Sequence, residues 1–256
     1  MIFETHAHYD DEAYDNDREE LLASMKKNGI GHIINVCATF DSVEKSIALT
    51  QKYDLMYSAI GIHPDDIEQF DDDKLGWLEE RAKDEKCVAV GEIGLDYHYP
   101  EPGRELQKEW FEKQLFMAKR LDKPVIIHSR DAAEDTMKIL LSKPMEGIRG
   151  VMHCYSYSVE TAKELMKRDF MFGIGGVVTF KNARKLVEAV EYLPMDRLLL
   201  ETDSPYLAPT PHRGERNSSL YIPLIAEKIA EIKGITAKEV IAVTEENASK
   251  LFGVAL

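Results

Sequence analysis

Cysteine is scarce in this chain, and none of it is arranged to hold a metal or a neighbouring thiol. Cys37, Cys87 and Cys154 leave one thiol over in any disulfide scheme and lack C-x-x-C spacing, so the reading is three buried free thiols. Long apolar runs are missing as well. The longest, such as Pro124 to Ile127, fall far short of the roughly 20 residues that cross a bilayer, which predicts no membrane span. No basic-then-apolar leader precedes Glu4 and His6, so no secretory signal is expected and the predicted location is cytoplasmic. No tandem repeat and no Pro/Gly/Ser-rich linker divides the sequence, which predicts one domain over residues 1–256. Positive charge is in deficit: 32 Lys and Arg against 46 Asp and Glu give a formal charge of −14. That excludes broad coating of duplex nucleic acid, which needs a basic face to displace counterions. A small phosphate-binding pocket stays open to such a chain, because cations in a carboxylate-lined site would supply positive charge locally.

Against these absences stands a regular alternation. Eight short apolar or β-branched runs start at Ile2, His32, Met56, Cys87, Pro124, Arg149, Phe170 and Arg197, each followed by a charged stretch of helical period. Several runs are apolar at consecutive positions, as expected of parallel strands covered on both faces. Helical patterns fall at Asp17 to Asn28, Arg104 to Leu121, Val159 to Arg168 and Asn182 to Leu193, and two more, Leu220 to Ile232 and Ala237 to Phe252, follow the last strand. Thr236 with Glu239 three residues on reads as a capping box. The expected fold class is α/β, a (β/α)8 TIM barrel; an open doubly wound sheet is the alternative, with its ligand site at a single switch point.

The polar residues favour the barrel. His6 and His8 stand two apart on a strand and so share a face. Strand four ends in Val90-Gly91-Glu92, strand five in Ile127-His128, strand six in Met152-His153 and strand eight in Thr202-Asp203, each a metal-ligand type at a strand's carboxyl end. In a barrel those ends converge on one mouth. Burying so many ionisable groups without partners costs several kcal/mol each, roughly, so a shared cation is the economical explanation, and imidazole with carboxylate is a donor set for divalent metals.

Other residues flank that mouth. His63, in Gly61-Ile62-His63-Pro64, is either a loop-fixing hydrogen bonder or a substrate contact, since nothing in its spacing requires a metal. Arg130 offers a fork of donors matched to phosphate, or else pairs with Asp131 beside it. The loop His212-Arg213-Gly214-Glu215-Arg216-Asn217 makes a cationic patch in an acidic chain, or a plain solvated loop. His32 begins strand two at the opposite rim and reads as structural, His98 lies in the loop after strand four, and Met117, Met137 and Met166 read as core filler.

These segments resemble the TatD-type metal-dependent hydrolases of the amidohydrolase superfamily, nearly end to end. The matching stretches are Thr5-His6-Ala7-His8, Gly61-Ile62-His63-Pro64, Gly91-Glu92-Ile93-Gly94-Leu95-Asp96-Tyr97, Pro124 to Arg130, His153-Cys154-Tyr155-Ser156 and Glu201-Thr202-Asp203-Ser204-Pro205-Tyr206. The resemblance implies a (β/α)8 barrel, two divalent metal ions (Mg, Mn or Zn) and deoxyribonuclease activity, often 3′-to-5′ on single-stranded DNA. It implies that His6, His8 and Asp203 bind one metal, His128 and His153 a second, and Glu92 both. Two positions depart from the family's commoner pattern: Glu4 for an aspartate, and Ser218-Ser219 for Glu-Pro.

On this reading two cations clamp a phosphoryl oxygen, Asp203 orients or deprotonates the attacking water, and Glu92 and Asp203 are the catalytic carboxylates. Arg130, Arg213 and Arg216, with His63, are the candidate substrate contacts. The rival enzyme is an amide, ester or lactone hydrolase using the same metal site; the rival outside catalysis is a metal-binding or interaction module on a retained fold.

Overall fold

The computed structural model describes residues 1–256. Eight parallel strands form one sheet in sequential order: β1 (Ile2–Ala7), β2 (Ile30–Val36), β3 (Met56–Ala59), β4 (Cys87–Asp96), β5 (Val125–Arg130), β6 (Gly150–Met152), β7 (Phe170–Ile174) and β8 (Leu198–Leu200). The ring closes where the backbone after β8 lies along β1. Ala7 bridges Ser204, the Asp203 N–H donates to the His6 carbonyl at 3.0 Å, and the His8 N–H donates to the Ser204 carbonyl at 2.8 Å. The expected single barrel is what the chain builds.

Nine helices surround or cap it: α1 (Arg18–Met25), α2 (Ser42–Lys52), α3 (Asp72–Arg81), α4 (Arg104–Arg120), α5 (Ala133–Leu140), α6 (Val159–Met166), α7 (Arg184–Tyr192), α8 (Ile222–Lys233) and α9 (Ala237–Phe252). No helix is long and apolar enough to cross a membrane.

Strand alternation sorts the core into two bodies. Val125 and Ile127 face the outer helices, whereas Ile126 joins Phe3, Ile34, Val36, Val151, Met171 and Leu199 inside the barrel. That inner cluster ends on Leu251 and Phe252 of α9, so the last helix plugs the amino-terminal end. The opposite end is left for polar groups. The alternation carries straight on from Ile126 to His128, from Val151 to His153 and from Leu199 through Glu201 to Asp203, which delivers those side chains to the open mouth.

Two strand boundaries differ from those expected. β4 does not end at Glu92 but runs four residues further, through a register shift against β5 between Val90 and Ile93. β8 stops at Leu200; the Glu201 N–H still donates to the Ile174 carbonyl of β7 at 3.3 Å, and Asp203 is then held by β1. Asp203 itself adopts φ 59°, a left-handed conformation that aspartate tolerates better than most residues.

Candidate active site

The six polar side chains at the strand ends meet around one carboxylate. Glu92, buried on β4, presents Oε2 to the first strand, 3.3 Å from His6 Nε2 and 3.8 Å from His8 Nε2. Its other oxygen, Oε1, lies 2.8 Å from His128 Nδ1 and 3.8 Å from His153 Nε2. Asp203 Oδ1 closes the ring at 3.4 Å from His8 Nε2, 3.7 Å from His6 Nε2 and 3.6 Å from His153 Nε2. His153 is therefore shared between Glu92 and Asp203, and its ring stacks on His6 at 3.5 Å. Donor atoms of His6, His8 and Asp203 fall within one coordination-sized group, and those of His63, Glu92 and His128 within another.

The charges in this cluster call for a cation. Burial alone would raise the Glu92 carboxyl, but the imidazoles of His6 and His153 and the hydrogen bond from His128 outweigh it and hold it well below the usual carboxylate range. Asp203 is lowered in the same way, burial opposing and His153 and His8 prevailing. The reciprocal effect appears on the histidines. Burial disfavours the charged rings of His8, His128 and His153, yet the carboxylates around them push the three up to about 9, about 10 and about 9. His6 goes the other way, lowered by burial and by the charge of His153. The Nε2 atoms of His6 and His8 point at each other across 3.1 Å, and His6 Nδ1 has no hydrogen-bond partner. An all-N/O donor set with ionised carboxylates and facing imidazole nitrogens suits divalent metal ions, which bind by displacing those protons.

The surrounding shell fixes how each ring is turned. His8 Nδ1 donates to the Val36 carbonyl at 2.8 Å, leaving Nε2 for the site. His128 has Nε2 on Asp96 Oδ2 at 3.0 Å, which turns Nδ1 toward Glu92. His153 Nδ1 lies 3.0 Å from Glu201 Oε1, and that same oxygen accepts the Cys154 N–H at 2.6 Å. Glycine makes this possible. A Cβ on Gly173 would stand 2.0 Å from Glu201 Oε2, and one on Gly94, at φ 150°, would stand 1.9 Å from the His128 carbonyl oxygen. Asp96 and Glu201 were not singled out from the sequence. The signal was present, since both are acids at the mouth end of a strand, but it did not distinguish a ligand from a residue that orients one.

The remaining candidates separate. His63 caps a turn by accepting the Asp65 N–H at 3.2 Å, and its ring also stands edge-on to His128 at 4.3 Å with Nε2 4.0 Å from Glu92. It therefore fixes its loop and also stands beside the cluster. Arg130 lines a cavity of about 760 Å³ above the cluster and has no carboxylate partner, because Asp131 faces His98 instead. Arg213 and Arg216 are not in that lining. Arg213 lies over the Phe180 ring at 4.1 Å, while Arg216 pairs with Asp17 at 2.5 Å and donates to the Ala13 carbonyl. Cys37 and Cys87 are buried, as expected; Cys154 is only half-buried and lines the cavity, because it follows His153 directly out of β6. His32 packs against Phe3 and Tyr57 away from the mouth.

The family model for TatD related DNase matches residues 3–253. A Bacillus subtilis relative, the uncharacterized metal-dependent hydrolase YabD, is 43% identical over 99% of this chain and 100% of its own length. The Escherichia coli K12 metal-dependent hydrolase YcfH is 36% identical over 99% of this chain and 96% of itself. Among solved structures, YjjV, a TatD homolog from E. coli K12, superposes with a TM-score of 0.92 at 31% identity, covering 99% of this chain and 98% of its own.

Proposed function

Because the chain belongs to the TatD family of metal-dependent hydrolases, we propose that it is a deoxyribonuclease, hydrolysing phosphodiesters of single-stranded DNA from the 3′ end. The observation that carries this reading is Glu92: its two oxygens face two different pairs of imidazoles, His6 with His8 and His128 with His153. That arrangement suits two divalent cations, Mg, Mn or Zn, with Glu92 shared, His6, His8 and Asp203 on one side and His128 and His153 on the other. Bound there, they would lower the pKa of the attacking water and neutralise charge building on the phosphoryl oxygens.

The chain's own groups do the rest. Asp203 Oδ1, held ionised by its imidazole neighbours, accepts the proton of the attacking water and orients its lone pair. Arg130, free of any carboxylate, places its forked donors on the phosphate being cleaved or the next one along. His63, kept neutral because burial and the charge of His128 push it down to about 3, contributes a hydrogen bond without adding charge.

The test is to strip the protein of metal and assay it on labelled single-stranded DNA, duplex DNA, RNA, a simple phosphodiester and a small ester or lactone, restoring Mg, Mn and Zn in turn. Metal-dependent shortening of the single strand is expected. Glu92→Gln should abolish it with loss of bound metal, a larger effect than the about 10–100-fold that removal of a mere supporting partner costs. Hydrolysis of the ester or lactone with none of the nucleic acids would overturn the nuclease reading in favour of a carbonyl hydrolase.

A further inference from the structure

The wall of the cavity above the carboxylates carries groups that hydrolysis itself does not use. Seven large apolar side chains of this protein are strongly exposed. Met1 and Leu256 are chain ends, and Phe116 and Tyr192 sit on the outer helices α4 and α7. The other three, Tyr99, Tyr206 and Leu207, all line the one cavity over the site. Single exposed apolar residues need no explanation, but their convergence on a binding mouth does.

The topology sets the two tyrosines apart. Tyr99 follows β4 and Tyr206 follows β8, which are four strands from each other in either direction round a closed ring of eight. The rings therefore rise from opposite sides of the mouth, each 54% exposed. Each is also propped in place. The Tyr206 hydroxyl donates to Asp11 Oδ2 at 3.0 Å, and the ring stands 6.4 Å from that of His8. Tyr99 meets His98 edge-on at 4.8 Å, and the Arg130 guanidinium lies 5.9 Å from its centroid. A ring already held loses little freedom when something flat is laid on it.

We propose that Tyr99 and Tyr206 are stacking platforms for unpaired bases at the end of a single strand, so that the site captures such an end by its π faces without reading its sequence. The proposal rests on the nuclease reading above. Every base offers a π face, and stacking on an aromatic side chain is tolerant of sequence. A paired duplex keeps those faces inside its own stack. The charge of the protein points the same way: at −14, with Arg130 the one arginine lining the cavity, the chain offers few phosphate contacts beyond the metal site, so contacts to bases have room to contribute. Arg130 beside Tyr99 puts a phosphate donor next to a base platform.

The experiment compares two single-stranded decanucleotides with equal numbers of phosphates, one all thymidine and one abasic at its three 3′-terminal positions, using the metal-loaded enzyme. Wild type should show a lower KM for the base-bearing strand. Tyr99→Ala and Tyr206→Ala should each raise that KM by about 5- to 100-fold, leave kcat nearly unchanged and leave the abasic strand unaffected. Tyr206→Phe, which keeps the ring and loses only the hydroxyl's hold on Asp11, should keep the preference for the base-bearing strand, with a KM far below that of Tyr206→Ala. A terminal 2-aminopurine should lose fluorescence on binding to wild type and much less on binding to either alanine variant. If wild type treats the two strands alike, or if the alanine variants lose equally on both, the platforms are overturned and the nuclease reading stands. If wild type cleaves neither strand yet hydrolyses a small ester, the nuclease reading fails and the platforms fall with it.

Discussion

His128 uses both nitrogens of its ring. With Nε2 held by Asp96 and Nδ1 aimed at Glu92, the imidazole is locked in the orientation from which it would ligate, a carboxylate–histidine arrangement that also raises the basicity of the donor. Glu201 Oε1 stands 3.0 Å from the far nitrogen of His153, an ion-pair distance without the hydrogen-bond alignment of the Asp96 contact. Asp96→Asn and Glu201→Gln should therefore lower metal affinity by about 10–100-fold while the chelator-treated proteins keep their fold. Calorimetric titration of the stripped variants measures this directly, and wild-type affinity in both would show that the carboxylates do not orient the rings. The two positions that depart from the family's commoner pattern turn out to touch. Ser219 Oγ donates to Glu4 Oε2 at 3.0 Å, and Glu4, whose carboxyl burial pushes up to about 8, is otherwise bonded to Thr202 and the His6 N–H. The longer acid and the hydroxyl thus complete one buried network under β1 that a proline at 219 could not join through its side chain.

Among the elements, α9 carries weight out of proportion to its distance from the chemistry. Thr236 accepts the Glu239 N–H while the Glu239 side chain accepts the Thr236 N–H, so the helix start is satisfied at both ends of a capping box. Its far end drives Leu251 and Phe252 into the inner barrel cluster beneath the site. Phe252→Ala should cost about 3–5 kcal/mol through the cavity it leaves, and Thr236→Ala about 1 kcal/mol, both read from urea unfolding. Neither should change metal affinity per folded molecule, because the plug and the mouth lie at opposite ends of the barrel. A large loss of affinity in Phe252→Ala would show that the two ends are mechanically linked.

Taken whole, the molecule is an acidic body with one cavity-facing arginine. Oligonucleotide binding by metal-loaded, catalytically dead protein should fall only gently with salt, and Arg130→Ala should lower the slope of log affinity against log salt by about 0.7, one single-strand phosphate contact. Arg213→Ala and Arg216→Ala should leave that slope where it is, since those guanidinia lie over Phe180 and against Asp17. A steep slope indifferent to Arg130 would place the nucleic acid elsewhere on the surface.

Much of this architecture was written locally in the chain. Eight apolar runs with helical stretches between them specify parallel strands, because burial on both faces leaves a periodic trace that neighbours in sequence carry by themselves, and the histidines and acids at the strand ends favour a barrel over an open sheet. The gathering of His6, His8, Glu92, His128, His153 and Asp203 was legible for the same reason: strand ends are local features, and in a barrel they share one rim. Contacts between residues far apart in sequence were not legible. The bond of Asp96 to His128, the acceptance of the Cys154 N–H by Glu201 and the pairing of Arg216 with Asp17, 199 residues away, all join segments distant in the chain. The length of β4 beyond Glu92, the support of Asp203 by β1 and the gathering of Tyr99 and Tyr206 on one cavity are likewise properties of closure. They depend on which chain segments the fold makes adjacent, and no periodicity within a single segment encodes that.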